Sequence, residues 1–214
     1  MRQLPLQISA PAEPRFENYV AGANVEALAR IRELAARSLP EVIVYLWGEA
    51  GSGRTHLLRA AAHVNPELFI ADDVEALDPA AQQALFVAIN AARDGQSAVL
   101  AAGVAAPAQL PLREDLRTRL AWGLVYQLKP LTDAEKALHL RAEAARRGLR
   151  LSDEVVWYLL NHLPRDLASL HGVLEVLDRY SLASQRAVTL PLVREALSAT
   201  QDCANCLDKP GASK

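Results

Sequence analysis

The stretch Gly48-Glu-Ala-Gly-Ser-Gly-Arg-Thr55 decides how the rest of this chain is read. In front of it, Val42-Ile-Val-Tyr-Leu-Trp47 is almost wholly apolar and rich in β-branched and aromatic residues, which predicts a buried strand. Behind it, Leu57, Leu58 and Ala61 recur at helical spacing. The stretch therefore sits at a strand-to-helix turn, the setting that a phosphate-binding loop requires. There, glycines let backbone N–H groups converge on an anion, and the helix N-terminus adds its own unpaired donors. The pattern is G-x-x-x-x-G-K-[ST] with Arg54 in the lysine position. Arginine keeps the positive charge, but its planar fork does not place a compact cation where lysine would. Gly48, Gly51, Ser52, Gly53, Arg54 and Thr55 are the predicted nucleotide-binding residues, and the Thr55 hydroxyl is a candidate Mg²⁺ ligand.

Downstream, Asn65-Pro66 turns the chain into Glu67-Leu-Phe-Ile-Ala71, a short predicted strand that ends in Asp72-Asp73. An acidic pair at the C-terminal end of a buried strand, after a phosphate loop, suits Mg²⁺ binding and polarisation of water. Asp72 is the metal-side candidate and Asp73 the water-side one; a plain turn cap is the alternative.

The totals are those of an ordinary folded chain. Its 214 residues suffice for one large domain or a core with a satellite, and apolar residues are 51% against 22% charged. A net charge of -2 gives no bulk electrostatic case for nucleic-acid binding. No apolar run is long enough to span a bilayer and no signal-peptide pattern opens the chain, so a cytoplasmic protein without a membrane partner is expected. Two cysteines, Cys203 and Cys206, exclude a disulfide framework. Their C-x-x-C spacing has no second pair beside it, so zinc is not expected.

Working outward, residues 1–15 read as a flexible N-terminal arm with Pro5, Pro11 and Pro14. Within it Gln3, Leu4, Pro5 and Leu6 form an extended apolar peptide behind a polar anchor, the look of a groove-binding linear motif. The alternative is an arm folded back on its own domain. Residues 16–129 read as the nucleotide-binding core. Asn24 is predicted to cap a helix to about Ser38, and Asp78-Pro79 to open another to about Arg93. Ala98–Ala102 and Trp122–Leu128 are further predicted strands, so the class is α/β with a mainly parallel sheet. Residues 130–200 read as a small helical domain, with caps at Asp133, Ser152 and Asp166 and a last helix over Thr189–Leu197. Residues 201–214 read as a flexible tail.

A nucleotide core followed by four helices resembles the AAA+ ATPases, and within them the DnaA-like branch of bacterial replication initiators and their short regulatory inactivators. The residues carrying the resemblance are Phe16-Glu-Asn-Tyr-Val-x-Gly-x-Asn24, Trp47-Gly48 with His56-Leu-Leu58, Asp72-Asp73, Thr118-Arg-Leu-Ala-Trp-Gly-Leu124 and Val188-Thr-Leu-Pro-Leu-Val-Arg-Glu-Ala-Leu197. The short regulatory members match better, because arginine replaces lysine in the loop and the chain ends after the helical lid. Gln3–Leu6 moreover resembles a sliding-clamp-binding motif.

The resemblance implies ADP or ATP as ligand, with or without Mg²⁺. It implies the DNA polymerase sliding clamp (β subunit) and the initiator DnaA as partners, a homo-oligomer as one available assembly, and no direct sequence-specific DNA binding. It makes Arg119 an arginine finger lent in trans to the initiator's ATP. The expected role is regulation of replication initiation; an active ATPase of loader or remodeller type and a non-catalytic adapter are the alternatives. Departures from the family are equally readable. Only 16 residues separate Thr55 from Asp72, too few for the family's second strand and helix, which leaves about four strands. Ala101-Ala-Gly-Val104 lacks the polar sensor, and the lid arginine falls at Ala168, with Arg165 nearby. These losses imply weak or no intrinsic ATPase activity.

Overall fold

The computed structural model describes residues 13–163 and 167–207, with side chains through 198 apart from 168. The Gln3–Leu6 motif, Arg165 and the Asp166 cap lie outside the described residues. The chain divides into two compact units, one ending at Leu131 and the other beginning at Thr132.

In the first unit, α1 (Val25–Ala35) leads to β1 (Ile43–Trp47), and the glycine-rich loop joins β1 to α2 (Arg54–Val64). Then come β2 (Phe69–Ala71), α3 (Pro79–Arg93), β3 (Val99–Gly103), α4 (Glu114–Leu120) and β4 (Leu124–Gln127). The four strands form one parallel sheet in the order β2-β3-β1-β4. β1 is thus an inner strand, and its alternating side chains feed two separate cores. Val44 and Leu46 pack with Leu28, Ile31, Leu57, Leu58 and Leu100 under α1 and α2. Ile43 and Tyr45 pack with Leu85, Ile89, Leu116 and Leu120 under α3 and α4. A strand buried on both faces needs apolar residues at every position, which is why Val42–Trp47 reads as a continuous run rather than an alternating one.

Several boundaries differ from the sequence reading, each for a local reason. Asn24 precedes α1 but its side chain caps nothing. Its buried amide instead donates to Lys129 O and accepts from Lys129 N, both at 2.8 Å, tying the start of α1 to the end of β4. Asp78 does cap α3, accepting from Ala81 N at 2.7 Å with Pro79 in the first turn. The strand expected over Trp122–Leu128 begins only at Leu124, because the segment before it closes a helical turn, with Trp122 N bonded to Arg119 O.

The second unit consists of α5 (Asp133–Arg146), α6 (Asp153–His162), α7 (Leu167–Ser184) and α8 (Leu190–Leu207). Leu140, Val155, Leu159, Leu170, Leu174, Leu177, Leu192 and Val193 form its core. Thr132, not Asp133, caps α5, in a capping box with Glu135. Ser152 caps α6 as expected. The last helix continues through 201–207, where the sequence predicts a tail. Glu143 is buried and offset by both Arg146 and Arg147.

Between α5 and α7, His139 and His171 approach to 2.7 Å through their Nε2 atoms. Such a bond needs one protonated nitrogen facing one lone pair, so a doubly protonated pair loses it. Burial pushes both pKa values down; His139 is further opposed by His171 and Arg146, and His171 by Arg147 and Arg146, with Glu175 the opposing carboxylate.

Two outcomes follow from these contacts. N24A removes both bonds to Lys129 and is expected to cost about 2 kcal/mol in urea denaturation. Because the histidine pKa values are depressed on folding, the unfolded chain binds protons first as pH falls below 6.5. Stability is therefore complete above that value and declines beneath it, and an H139Q/H171Q variant shows a flatter melting-temperature profile between about pH 7 and about pH 5.

Candidate nucleotide-binding site and arginine cluster

The loop is shaped by close approaches that only glycine permits at two places. A Cβ on Gly48 would lie 2.3 Å from Leu128 O, because Leu128 N bonds Trp47 O at 2.7 Å and brings the two chains together. Gly53 is left-handed (φ 91), and a Cβ there would lie 2.7 Å from the Tyr19 ring. Tyr19 in turn donates to Ser52 O at 3.4 Å and accepts from Asn24 at 3.3 Å. The segment before α1 thereby braces the loop from outside. Leu57 N bonds Gly53 O, which leaves the N–H groups of Arg54, Thr55 and His56 as the first-turn donors of α2.

Side chains from three elements converge here. Thr55 Oγ1 donates to Asp72 Oδ2 at 2.6 Å, joining α2 to the end of β2. Asp72 Oδ1 accepts from Asp73 N at 3.0 Å. Asp73 takes a left-handed backbone (φ 44), uncommon for a residue with a side chain and typical of constrained sites. Its carboxylate lies 3.8 Å from Arg54 Nη2. The Arg54 side chain is only 12% exposed, and its Nη1 is buried with no hydrogen-bond partner among the described residues. Ser52 Oγ is likewise buried and unpaired. Unpaired buried donors cost about 1–3 kcal/mol each, more when charged, so a loop carrying two of them is suited to an anion that would satisfy both. The residues present fit the phosphates of a nucleotide. Nearby, Asp72 and the Thr55 hydroxyl are the groups that would hold a metal.

At the end of β3, where a polar sensor is missing from the sequence, Ala101 and Ala102 are fully buried. The polar groups there come from elsewhere. Glu75 accepts from Val104 N at 3.2 Å, and the Tyr45 hydroxyl donates to Ala105 O at 2.8 Å. Burial and the neighbouring Glu75 push the Tyr45 pKa far up, and Arg54 opposes them. The hydroxyl is thus a fixed neutral donor. Sequence reasoning missed both residues; the signal for Tyr45 was a hydroxyl in a strand with no other.

Arg119 sits on α4 in a separate cluster. Its Nε donates to Asn90 Oδ1 and its Nη1 to Asp115 O, each at 3.2 Å. The guanidinium lies 4.1 Å from the Phe86 ring centre and 5.1 Å from that of Trp122. Nη2 has no bonded partner among the described residues. Phe86 and Asn90 are one turn apart on α3, beside its buried face, and together with Trp122 they hold the arginine in one orientation. Arg93 also lies over Trp122, at 4.3 Å, and Arg117 donates to Ala108 O. Phe86 and Asn90 were legible only as an i, i+4 pair flanking the apolar stripe.

Among the described residues, no group of three or more His, Cys, Asp and Glu side chains is placed to hold a metal ion, and no helix is long and apolar enough to cross a membrane. The side chains of Cys203 and Cys206 lie outside the described set, as does that of Ala168.

Known proteins match both units. The family model for the lid domain of Hda matches residues 133–197. An uncharacterized protein of Haemophilus influenzae is 31% identical over 229 residues, spanning 92% of this chain and 99% of that protein. Domain III of the Thermotoga maritima replication initiation protein DnaA superposes with a TM-score of 0.69 at 21% identity, over 88% of this chain and 97% of that one. AMPPCP-bound DnaA from Aquifex aeolicus gives 0.65 at 19% identity, over 78% and 65%. The chain thus belongs to the family of the Haemophilus influenzae protein, carries a lid that matches the Hda lid domain over residues 133–197, and shares the fold of DnaA domain III.

Proposed function

We propose that this protein regulates the initiation of chromosome replication by stimulating hydrolysis of ATP held by the initiator. Arg119 is the group lent to that ATP, Gln3–Leu6 the segment that docks on the sliding clamp, and Gly48–Thr55 the loop that holds ADP or ATP. The observation that carries the reading is the state of Arg119. Four neighbours, Asn90, Asp115, Phe86 and Trp122, fix its guanidinium, and among the described residues one nitrogen is left over for an oxygen from outside. A guanidinium reaching a γ-phosphate in trans stabilises charge that develops as the phosphoryl group departs. Pre-orientation matters because the arginine then loses little freedom on docking. The lid match to Hda and the likeness of the core to DnaA support a partner of related fold, since AAA+ subunits assemble by offering such residues to a neighbour's nucleotide.

The competing reading, a self-sufficient ATPase, has less support from the loop. Asp73 is the carboxylate that would orient water, and its side chain faces Arg54. Neither Ala101 nor Ala102 offers a polar group toward a departing phosphate. Fixed dipoles and charges aimed at the transition state usually supply most of the acceleration in such chemistry, so slow intrinsic turnover is expected.

The test is hydrolysis of ATP prebound to the initiator, with DNA-loaded clamp and this protein added. R119A is expected to abolish stimulation, a loss of about a thousandfold or more. N90A, which removes one restraint on the guanidinium, is expected to cost about tenfold with nucleotide binding unchanged. Leu4→Ala/Leu6→Ala is expected to remove clamp dependence while the fold and the nucleotide site stay intact. Full stimulation by R119A would overturn the proposal, and rapid hydrolysis by the protein alone, lost in D73N, would favour the ATPase reading.

A further inference from the structure

We propose that Arg93 is a docking cation, which meets an acidic patch of the initiator beside the ATP to which Arg119 is lent. The inference rests on the trans role proposed for Arg119 and extends it to the surface around that residue. Cations and aromatic rings alternate along this face of α3 and α4. Arg113 and Arg119 lie over the Phe86 ring at 5.7 and 4.1 Å, and Arg119 and Arg93 over the Trp122 ring at 5.1 and 4.3 Å. The three arginines differ in what balances their charge. Arg113 is paired with Asp115 at 3.4 Å. Arg119 bonds only neutral oxygens, Asn90 Oδ1 and the backbone carbonyl of Asp115. Arg93 is exposed at the last position of α3, and among the described residues its side chain has no hydrogen bond or ion pair, not even with the adjoining Asp94. A ring holds a guanidinium in place without cancelling its charge, so two uncancelled cations share one indole.

Cations crowded in this way repel one another, and an anion approaching both relieves the repulsion. The plain alternative for Arg93 is a cation placed to suit the C-terminus of α3. That role needs no aromatic partner and does not account for Trp122, 46% exposed while carrying both guanidiniums. The two arginines also differ in freedom. Arg119 is fixed by two hydrogen bonds and two rings, as suits a group that must meet a reacting atom. Arg93 rests on one ring alone and can follow the contour of a partner. The first is therefore assigned to chemistry and the second to association. An exposed cation at the rim of an interface raises the rate of encounter and its salt dependence rather than turnover. An acidic protein surface is the occupant that fits. Continuity with Arg119 puts that surface on the same partner, and neither cation has a carboxylate paired to it among the described residues.

Hydrolysis of initiator-held ATP, followed against the concentration of this full-length protein with DNA-loaded clamp present, separates the two roles. R93A is expected to raise the concentration for half-maximal stimulation by about tenfold at low salt and to leave the maximal rate unchanged. Its difference from wild type shrinks as salt is added, because screening removes the attraction. R93K keeps the charge and is expected to stay within about threefold of wild type. An R93A variant that matches wild type in half-maximal concentration and in salt dependence overturns the docking role and leaves the proposed function standing. So does an R93A variant with a lowered maximal rate at an unchanged half-maximal concentration, since Arg93 would then reach the reacting phosphate. An R93K variant as weak as R93A also overturns it, because charge would not then carry the contact. Failure of wild type to stimulate at any concentration removes the proposed function, and this inference with it.

Discussion

β1 is enclosed on four sides: β3 and β4 pair with its two edges, and the α1–α2 and α3–α4 layers cover its two faces. With every neighbour occupied, neither its register nor its tilt can change without disturbing both cores. The glycine-rich loop leaves from its C-terminal end. Its shape is then set within a few residues by the approach of Leu128 to Gly48 and of Tyr19 to Gly53. The loop gains its fixed shape from this enclosure as much as from its own sequence.

Much of this was legible from residue order. The apolar run 42–47, the glycine pattern after it and the acidic pair at the end of the next strand each carry a local physical signal, and the structure brings Thr55 to Asp72 and Arg54 to Asp73. What escaped the reading depended on contacts between distant residues. Asn24 looks like a helix cap because helix caps are local; that its amide instead spans to Lys129 is a property of the folded sheet. Thr132 took the capping role from Asp133 because its hydroxyl and Glu135 close a reciprocal box. The environment of Arg119 was invisible for a similar reason. Phe86 and Asn90 precede it by about thirty residues and mean nothing together until α3 lies beside α4.

The two arginines that matter most are held in contrasting ways. Arg54 is drawn inward, with Nη2 facing Asp73 and Nη1 unpaired among the described residues. Arg119 is only partly buried, its guanidinium lying over the Phe86 and Trp122 rings, with Nη2 unbonded among the described residues. Replacing either by lysine keeps the charge and discards the feature that distinguishes it, the planar set of donors that lets one group answer two neighbours at once.

The shortened sheet has a bearing on solubility. Its outer strands, β2 and β4, are three and four residues long. The edge of a sheet is an open template for a foreign strand, and its hazard grows with the length of backbone left unpaired. With edges this brief, strand addition gains too few hydrogen bonds to hold another chain. Copies of the chain can therefore be crowded together without their sheets fusing edge to edge.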